Sequence, residues 1–251
     1  MRNRQKHAAL AVHQFHKTPF RKLILFEDDD YIVVNKPSFV ATLDDRHEDI
    51  NMIALAREYT PDAQVCHRLD KETSGALIIA KNPEAYRSVA IQFEKRQINK
   101  VYHAVCDGIH DLNHQKIDAP LYANNKGVVK ISHRDGKEAL TYASTLKAYR
   151  KHTLVSCEPV TGRMHQIRVH LANIGASISG DDKYGGKPFY LSALKKNYNL
   201  KKDTEELPLI KRVALHAFQV SFNLMDGKST LVEAPYPKDF AVVVRQLEKL
   251  G

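Results

Sequence analysis

The sequence predicts an α+β protein, built on a mixed, mostly antiparallel sheet with helices inserted between strands. Three observations lead there. Short β-branched and aromatic runs, bounded by polar or glycine turns, recur along the whole chain. Only a few segments carry the 3.6-residue period of a helix with one buried face. No internal repeat and no low-complexity linker divides the 251 residues.

In chain order, "KLILFE" (22–27) and "YIVVN" (31–35) read as two strands joined by a turn at "DDD", stopped at "NKP". "EDINMIALAREY" (48–59) reads as a short helix. "CHRLDKETSG" (66–75) interrupts regular structure and is expected to be a loop, before "GALIIAKN" (75–82) resumes as a buried strand. Asn82 and Pro83 suit the cap and first turn of a helix, and Tyr86, Val89, Ala90 and Phe93 are spaced for its core face. "KVYHAVCDG" (100–108) alternates, with Val101, His103 and Val105 on one face and Tyr102, Ala104 and Cys106 on the other. "GVVKIS" (127–132), "ALTYASTLKAY" (139–149) and "HTLVSCEPV" (152–160) continue the sheet.

"GRMHQIRVHLANIG" (162–175) reads as a helix with Met164, Ile167, Leu171 and Ile174 facing inward and Arg168 on the adjacent stripe. "ALHAFQVSFNL", the "MDGK" turn and "STLVEAP" (214–235) form an expected hairpin, and "PKDFAVVVRQLEKL" (237–250) a closing amphipathic helix. The segment 190–206 is rich in lysine and reads as a solvated insertion without a role.

Composition narrows the function. Lys and Arg total 38 against 29 Asp and Glu, a formal charge of +9 that suits a polyanionic partner such as RNA without proving one. The three cysteines are widely spaced, with no C-x-x-C pair, so neither a disulfide framework nor a zinc site is expected, and a reducing cytoplasm fits. Thirteen histidines show no metal-ligand spacing; no metal is expected. No apolar run approaches membrane-spanning length, so no membrane partner is expected. The basic residues 1–20 read as an arm, and 21–251 as one domain. The P-loop, dinucleotide and nucleophile-elbow patterns are absent. Cys66 and His67 are neighbours, but adjacent strand residues point to opposite faces, a poor geometry for thiol catalysis.

Asp70 is the main candidate. A turn aspartate making local hydrogen bonds is the ordinary reading. An ionised carboxylate among arginines on an RNA-binding surface repels phosphate, however, and makes sense there if it attacks an electron-poor carbon. Arg68 is either a surface charge or a phosphate contact, and Tyr102 either packs in the sheet or offers a face to an unstacked base. Arg163 and His165, after Gly162, either cradle an anion at a helix start or form an exposed basic helix. Arg168, beside an apolar stripe, needs a carboxylate, for which Asp70 is the expected partner.

"HRLDKETSG" together with "GRMHQIRVHLANIGASISGDDKYGG" resembles the RluA family of RNA pseudouridine synthases, in the short form without an extra N-terminal RNA-binding domain. The likeness begins at "LILFEDDDYIVVNKP", takes in "INKVYHAVCDG" and extends to "APYPKDF". It implies a pseudouridine synthase fold with a central active-site cleft. The implied activity is isomerisation of uridine to pseudouridine in structured ribosomal or transfer RNA by a monomer, without cofactor or metal. It further implies that Asp70 is the essential aspartate, that Arg68 fills the space left by the flipped nucleotide, and that Tyr102 stacks on the target base. Arg168 corresponds to the arginine paired with that aspartate, while His67, Thr73, Arg163 and His165 are expected to contact RNA or base. One departure stands out. The family commonly has a glycine two positions after "NKP", where this chain has Phe39.

Overall fold

The structure, a computed structural model, describes residues 19–44, 50–125, 127–195, 198–200 and 204–250. Residues 1–18 of the expected arm, and 196, 197 and 201–203 of the lysine-rich insertion, lie outside the described residues.

The elements follow in order: β1 (Ile24–Glu27), β2 (Tyr31–Lys36), α1 (Met52–Tyr59), β3 (Gln64–Val65), β4 (Ser74–Ala80), α2 (Pro83–Glu94), β5 (Asn99–Asp107) and β6 (Gln115–Asp118). Then come β7 (Leu121–Ala123), β8 (Val129–Ile131), β9 (Leu140–Ala148), β10 (His152–Pro159), α3 (Gln166–Asn173), β11 (Leu215–Asn223), β12 (Ser229–Glu233) and α4 (Lys238–Leu250). Local chemistry places several boundaries. Asn51 and Asn82 cap α1 and α2 by accepting the N–H of Ala54 and Ala85, both at 2.8 Å. Pro83 in the first turn of α2 needs no donor there.

Two compact units form. The first contains the residues up to Val101 and His216–Pro235; the second contains Tyr102–Leu215 and the residues from Tyr236. In the first, β2 pairs antiparallel with β1 and with β4, in register from Tyr31 opposite Ala80 to Lys36 opposite Gly75. β4 is buried along its whole length, which is why "SGALIIA" is apolar on both faces rather than alternating. It runs parallel to β11 at Ser74–His216 and Gly75–Ala217, the parallel contact that makes this unit's sheet mixed. Only glycine fits at position 75: its φ is +118°, and an added Cβ would stand 2.1 Å from the carbonyl oxygen of Ala217. α2 covers this sheet, with Ala85 and Val89 joining Tyr31, Ile78, Val220 and Phe222 in one core.

In the second unit β10 pairs antiparallel with β5 and β9, and β9 with β6. β7 and β8 form a separate two-stranded sheet. Ile167 and Leu171 of α3 and Phe240, Val243 and Leu247 of α4 share a core with Val105, Val155 and Phe189. The start of α4 is tied down by charge. Arg212, completely buried, holds Asp239 through Nε at 2.8 Å and Nη2 at 3.1 Å, and donates Nη1 to the carbonyls of Val213 and Leu215.

Several expectations change. α2 turns a partly different stripe inward: Val89 is buried and Phe93 packs against the core as expected, but Ala85 and Gln92 are buried with them, whereas Tyr86 and Ala90 are exposed. The reason is a reciprocal pair, Gln92 Nε2 to Asn223 O at 2.9 Å and Asn223 N to Gln92 Oε1 at 2.8 Å, which satisfies a polar side chain inside. α3 begins at Gln166 rather than Gly162, because His165 at its cap is left-handed, with φ 53°. β5 is buried on both faces from His103 to Cys106, so its alternation does not separate a wet face from a dry one. "GVVKIS" is a strand only over Val129–Ile131, paired with β7, which had no strand signal of its own.

Candidate active site

In the first unit the stretch expected to be a loop is one, and its backbone is anchored on both sides of Asp70. Thr42 Oγ1 donates to the carbonyl of Leu69 at 2.8 Å and accepts the N–H of Leu69 at 3.1 Å. On the other side the carbonyl of Lys71 accepts the N–H of Phe39 at 2.7 Å and the ammonium of Lys36 at 3.3 Å. Lys36 is completely buried and also donates to the carbonyls of Pro37 and Val40, at 3.0 and 2.9 Å. The loop closes as a turn, Thr73 N to Asp70 O at 3.0 Å, with Thr73 itself 2% exposed. Next to it the hydroxyl of Ser74 meets His216 Nδ1 at 2.9 Å. His216 Nε2 is then the protonated nitrogen, donating to Ala234 O at 3.0 Å.

The result is a carboxylate on a braced backbone. Asp70 is half-buried and Arg68 is exposed. Arg68 and Lys71, with Thr42 and Asp44, line a concavity of about 400 Å³. Two cations against one acid, Asp44, leave its wall with a net positive charge.

His67 has a structural task that its neighbours in sequence do not reveal. β3 pairs with β4 at Gln64–Ala80 and Val65–Ile79, and the N–H of Cys66 extends the ladder to Ile78 O at 3.0 Å. There the backbone leaves the ladder, and His67 Nε2 accepts the N–H of Ile78, also at 3.0 Å. The ring is therefore neutral with its proton on Nδ1. Burial draws its pKa down from 6.5 to about 3, and the nearby Lys100 adds to the effect. Burial also brings Lys100 to about 8; its ammonium lies 5.6 Å from the centre of the Phe93 ring. The Cys66 thiol goes the other way, pushed up to about 12 by burial, which suits an inert sulfur rather than a nucleophile.

In the second unit Tyr102 lies on β5 opposite Cys157, half-buried against the core. Ahead of α3, Gln166 ties the entering chain: its Oε1 accepts from Thr161 Oγ1 and Arg163 N, at 2.7 and 2.9 Å, and its Nε2 donates to Leu140 O. Arg163 is exposed and gives its Nε to the carbonyl of Glu138 at 2.9 Å. His165 Nδ1 lies 2.7 Å from the hydroxyl of Tyr184. Arg168 is 8% exposed and has the carboxylate that its burial demands: Asp181 takes its Nε at 2.7 Å and its Nη2 at 2.8 Å. Sequence reasoning missed Asp181, although the residue stands in the quoted "SGDDKYGG" and the need for an acid beside Arg168 was the signal that could have found it. The candidates thus fall into two groups, Arg68, His67, Asp70 and Thr73 in the first unit and Tyr102, Arg163, His165 and Arg168 in the second.

The model of the family described as RNA pseudouridylate synthase matches residues 30–173, more than half of the chain. The ribosomal large subunit pseudouridine synthase C of Buchnera aphidicola subsp. Baizongia pistaciae is 35% identical over 236 residues, covering 91% of this chain and 71% of that protein. The dual-specificity RNA pseudouridine synthase RluA of Vibrio parahaemolyticus is 36% identical over 210 residues, 79% of this chain and 76% of that one. Among solved structures, human RNA pseudouridylate synthase domain containing 1 superposes with a TM-score of 0.64 at 26% identity, over 85% of this chain and 83% of that chain.

Proposed function

This chain belongs to the RNA pseudouridylate synthase family and is an isomerase of uridine in RNA, and we propose that Asp70 is its acting group on structured ribosomal or transfer RNA. The observation that carries the assignment to Asp70 is the bracing of its loop: the backbone of Leu69 and of Lys71 is pinned on either side, while Asp70 between them is half-buried.

The chemistry makes clear what such a group must do. Pseudouridine is an isomer of uridine: the bond from ribose C1′ to N1 breaks, one from C1′ to C5 forms, the C5 proton leaves and N1 gains one. The balance requires no oxidant, reductant or cofactor. A fixed carboxylate serves either by attacking C1′ or by taking a proton from the sugar. Uridine in folded RNA must first leave its stack, at a cost of a few kcal/mol. Arg68, exposed next to Asp70, is the proposed occupant of the vacated space, and Tyr102 the proposed platform for the base. Arg168 is the proposed cation of the same reaction. The net charge of +9 supports RNA as the partner.

The names of the relatives make large-subunit ribosomal RNA the first substrate to try. No helix among the described residues is long and apolar enough to cross a membrane. A monomer in the cytoplasm is part of the proposal, and for its location the support is that all three cysteines are free thiols. Full-length protein with Asp70→Asn should bind a ribosomal RNA transcript as wild type does and form no pseudouridine, measured by mass spectrometry of digested RNA. Undiminished isomerisation would sink the assignment. Pseudouridine mapping in cells lacking the gene identifies the RNA.

A further inference from the structure

We propose that Asp181 and Tyr184 are positioning residues for Arg168. The inference rests on the reading that Arg168 takes part in the reaction.

The geometry begins in the turn. Gly180 sits at φ 79°, and a Cβ there would stand 2.3 Å from Arg212 O; one on Gly186 would stand 1.8 Å from Ile178 O. The N–H groups of Tyr184 and Gly186 both bond to the carbonyl of Asp181, at 3.1 and 2.8 Å. The turn therefore folds tightly back on Asp181, whose side chain, 1% exposed, meets Arg168 edge-on with two hydrogen bonds. The Tyr184 ring covers the guanidinium, its centre 5.0 Å from Arg168 Cζ. The residue is held at both ends: Ser177 Oγ donates to the backbone carbonyl of Tyr184 at 2.9 Å, and the ring hydroxyl pairs with His165 Nδ1. His165 makes that contact from a left-handed backbone, which is unfavourable for a residue with a Cβ.

A buried ion pair contributes little net stability compared with apolar side chains of the same volume. What a planar guanidinium gains from a carboxylate on one edge and a ring across its face is a single orientation. That is the property a cation needs in order to meet charge developing at a fixed point.

A double-mutant cycle on the full chain tests this, with a transcript of large-subunit ribosomal RNA as the probe. Single-turnover rate, RNA affinity and melting temperature are measured for Asp181→Asn, Arg168→Met and their combination. Asp181→Asn should lower the rate about 100-fold with affinity changed less than about threefold, and add less than about threefold in the Arg168→Met background. Tyr184→Leu should lose about 30-fold, and Tyr184→Phe, which keeps the ring, less than about fivefold. If Asp181→Asn melts below the assay temperature, the two tyrosine variants carry the test, since neither removes a charge. Multiplying effects of Asp181→Asn and Arg168→Met, or a wild-type rate for Tyr184→Leu, would overturn the proposal. A wild-type rate for Arg168→Met overturns the underlying reading instead, and the two failures are distinct because the first leaves Arg168→Met slow.

Discussion

The imidazole of His67 takes the place of a backbone carbonyl: its Nε2 accepts the N–H of Ile78 at the point where the chain departs from β4 toward Asp70. Replacing it with leucine strands that N–H, at a cost of about 1–3 kcal/mol. Glutamine can offer an oxygen near the same place. Urea denaturation should therefore rank wild type above His67→Gln, and His67→Gln above His67→Leu. Equal stabilities for the two variants would show that the hydrogen bond contributes nothing.

The same ring makes stability depend on pH. His67 is held at about 3 and His103, by burial, at about 4, both from 6.5. Between those values and 6.5 the unfolded chain binds protons that the folded chain refuses, so stability is greatest above about pH 6.5 and declines as pH falls. Denaturation at pH 7.5, 6 and 5 should show the decline, and His67→Gln should flatten it. A flat wild-type profile would count against neutral, buried rings.

Phe39 occupies a left-handed backbone, φ 67°, at the position where the family resemblance leads one to expect glycine. Its N–H reaches Lys71 O next to Asp70, so the strained geometry belongs to the bracing of the loop. Phe39→Gly removes the strain along with the ring, whereas Phe39→Ala removes only the ring. Glycine should be the more stable of the two by about 1 kcal/mol. Thermal melts that favour alanine would refute this.

Lys36 bonds three carbonyls from complete burial. Lys36→Met should cost about 1–3 kcal/mol by taking the ammonium from the Pro37 and Val40 carbonyls and leaving the Lys71 carbonyl with the Phe39 N–H alone. Because Lys71 adjoins Asp70, it should also slow single-turnover isomerisation while sparing RNA affinity. Unchanged turnover would mean that the brace does not reach the carboxylate.

Asp239 faces completely buried Arg212. Burial works against the carboxylate's charge, but Arg212, with the backbone N–H groups of Phe240 and Asp239, more than offsets it, and the pKa ends below its ordinary 3.8. A depressed carboxyl lends stability above about pH 4, lost as pH falls through the folded value. Asp239→Asn should cost about 3–5 kcal/mol at neutral pH by removing the carboxylate charge that faces the buried guanidinium. A melt within a degree of wild type would contradict this.

Much was legible in the sequence because it is decided within a few residues. Asn82 caps its helix through the N–H three residues on, and Pro83 suits a first turn wherever that turn packs, whereas Asn51, expected inside a helix, caps one that starts at Met52. The unbroken apolar run of β4 announced burial on both faces. The loop expected at 66–75 came from residue types, and the candidacy of Asp70 from its basic surroundings and the family resemblance.

The partners of those residues were decided elsewhere. Gln92 enters the core of the first unit because Asn223, 131 positions away, completes its hydrogen bonds, and no hydrophobic period can register that. α3 is buried from Gln166 through Leu171, which erases the stripe that would mark its inner face. The need of Arg168 for an acid could be foreseen. That Asp181 supplies a two-toothed one depends on a turn which only Gly180 and Gly186 permit. Caps, turns and alternation answer to sterics and hydrogen bonds three or four residues apart, whereas the pairing of buried charges waits until distant segments close around them and exclude water.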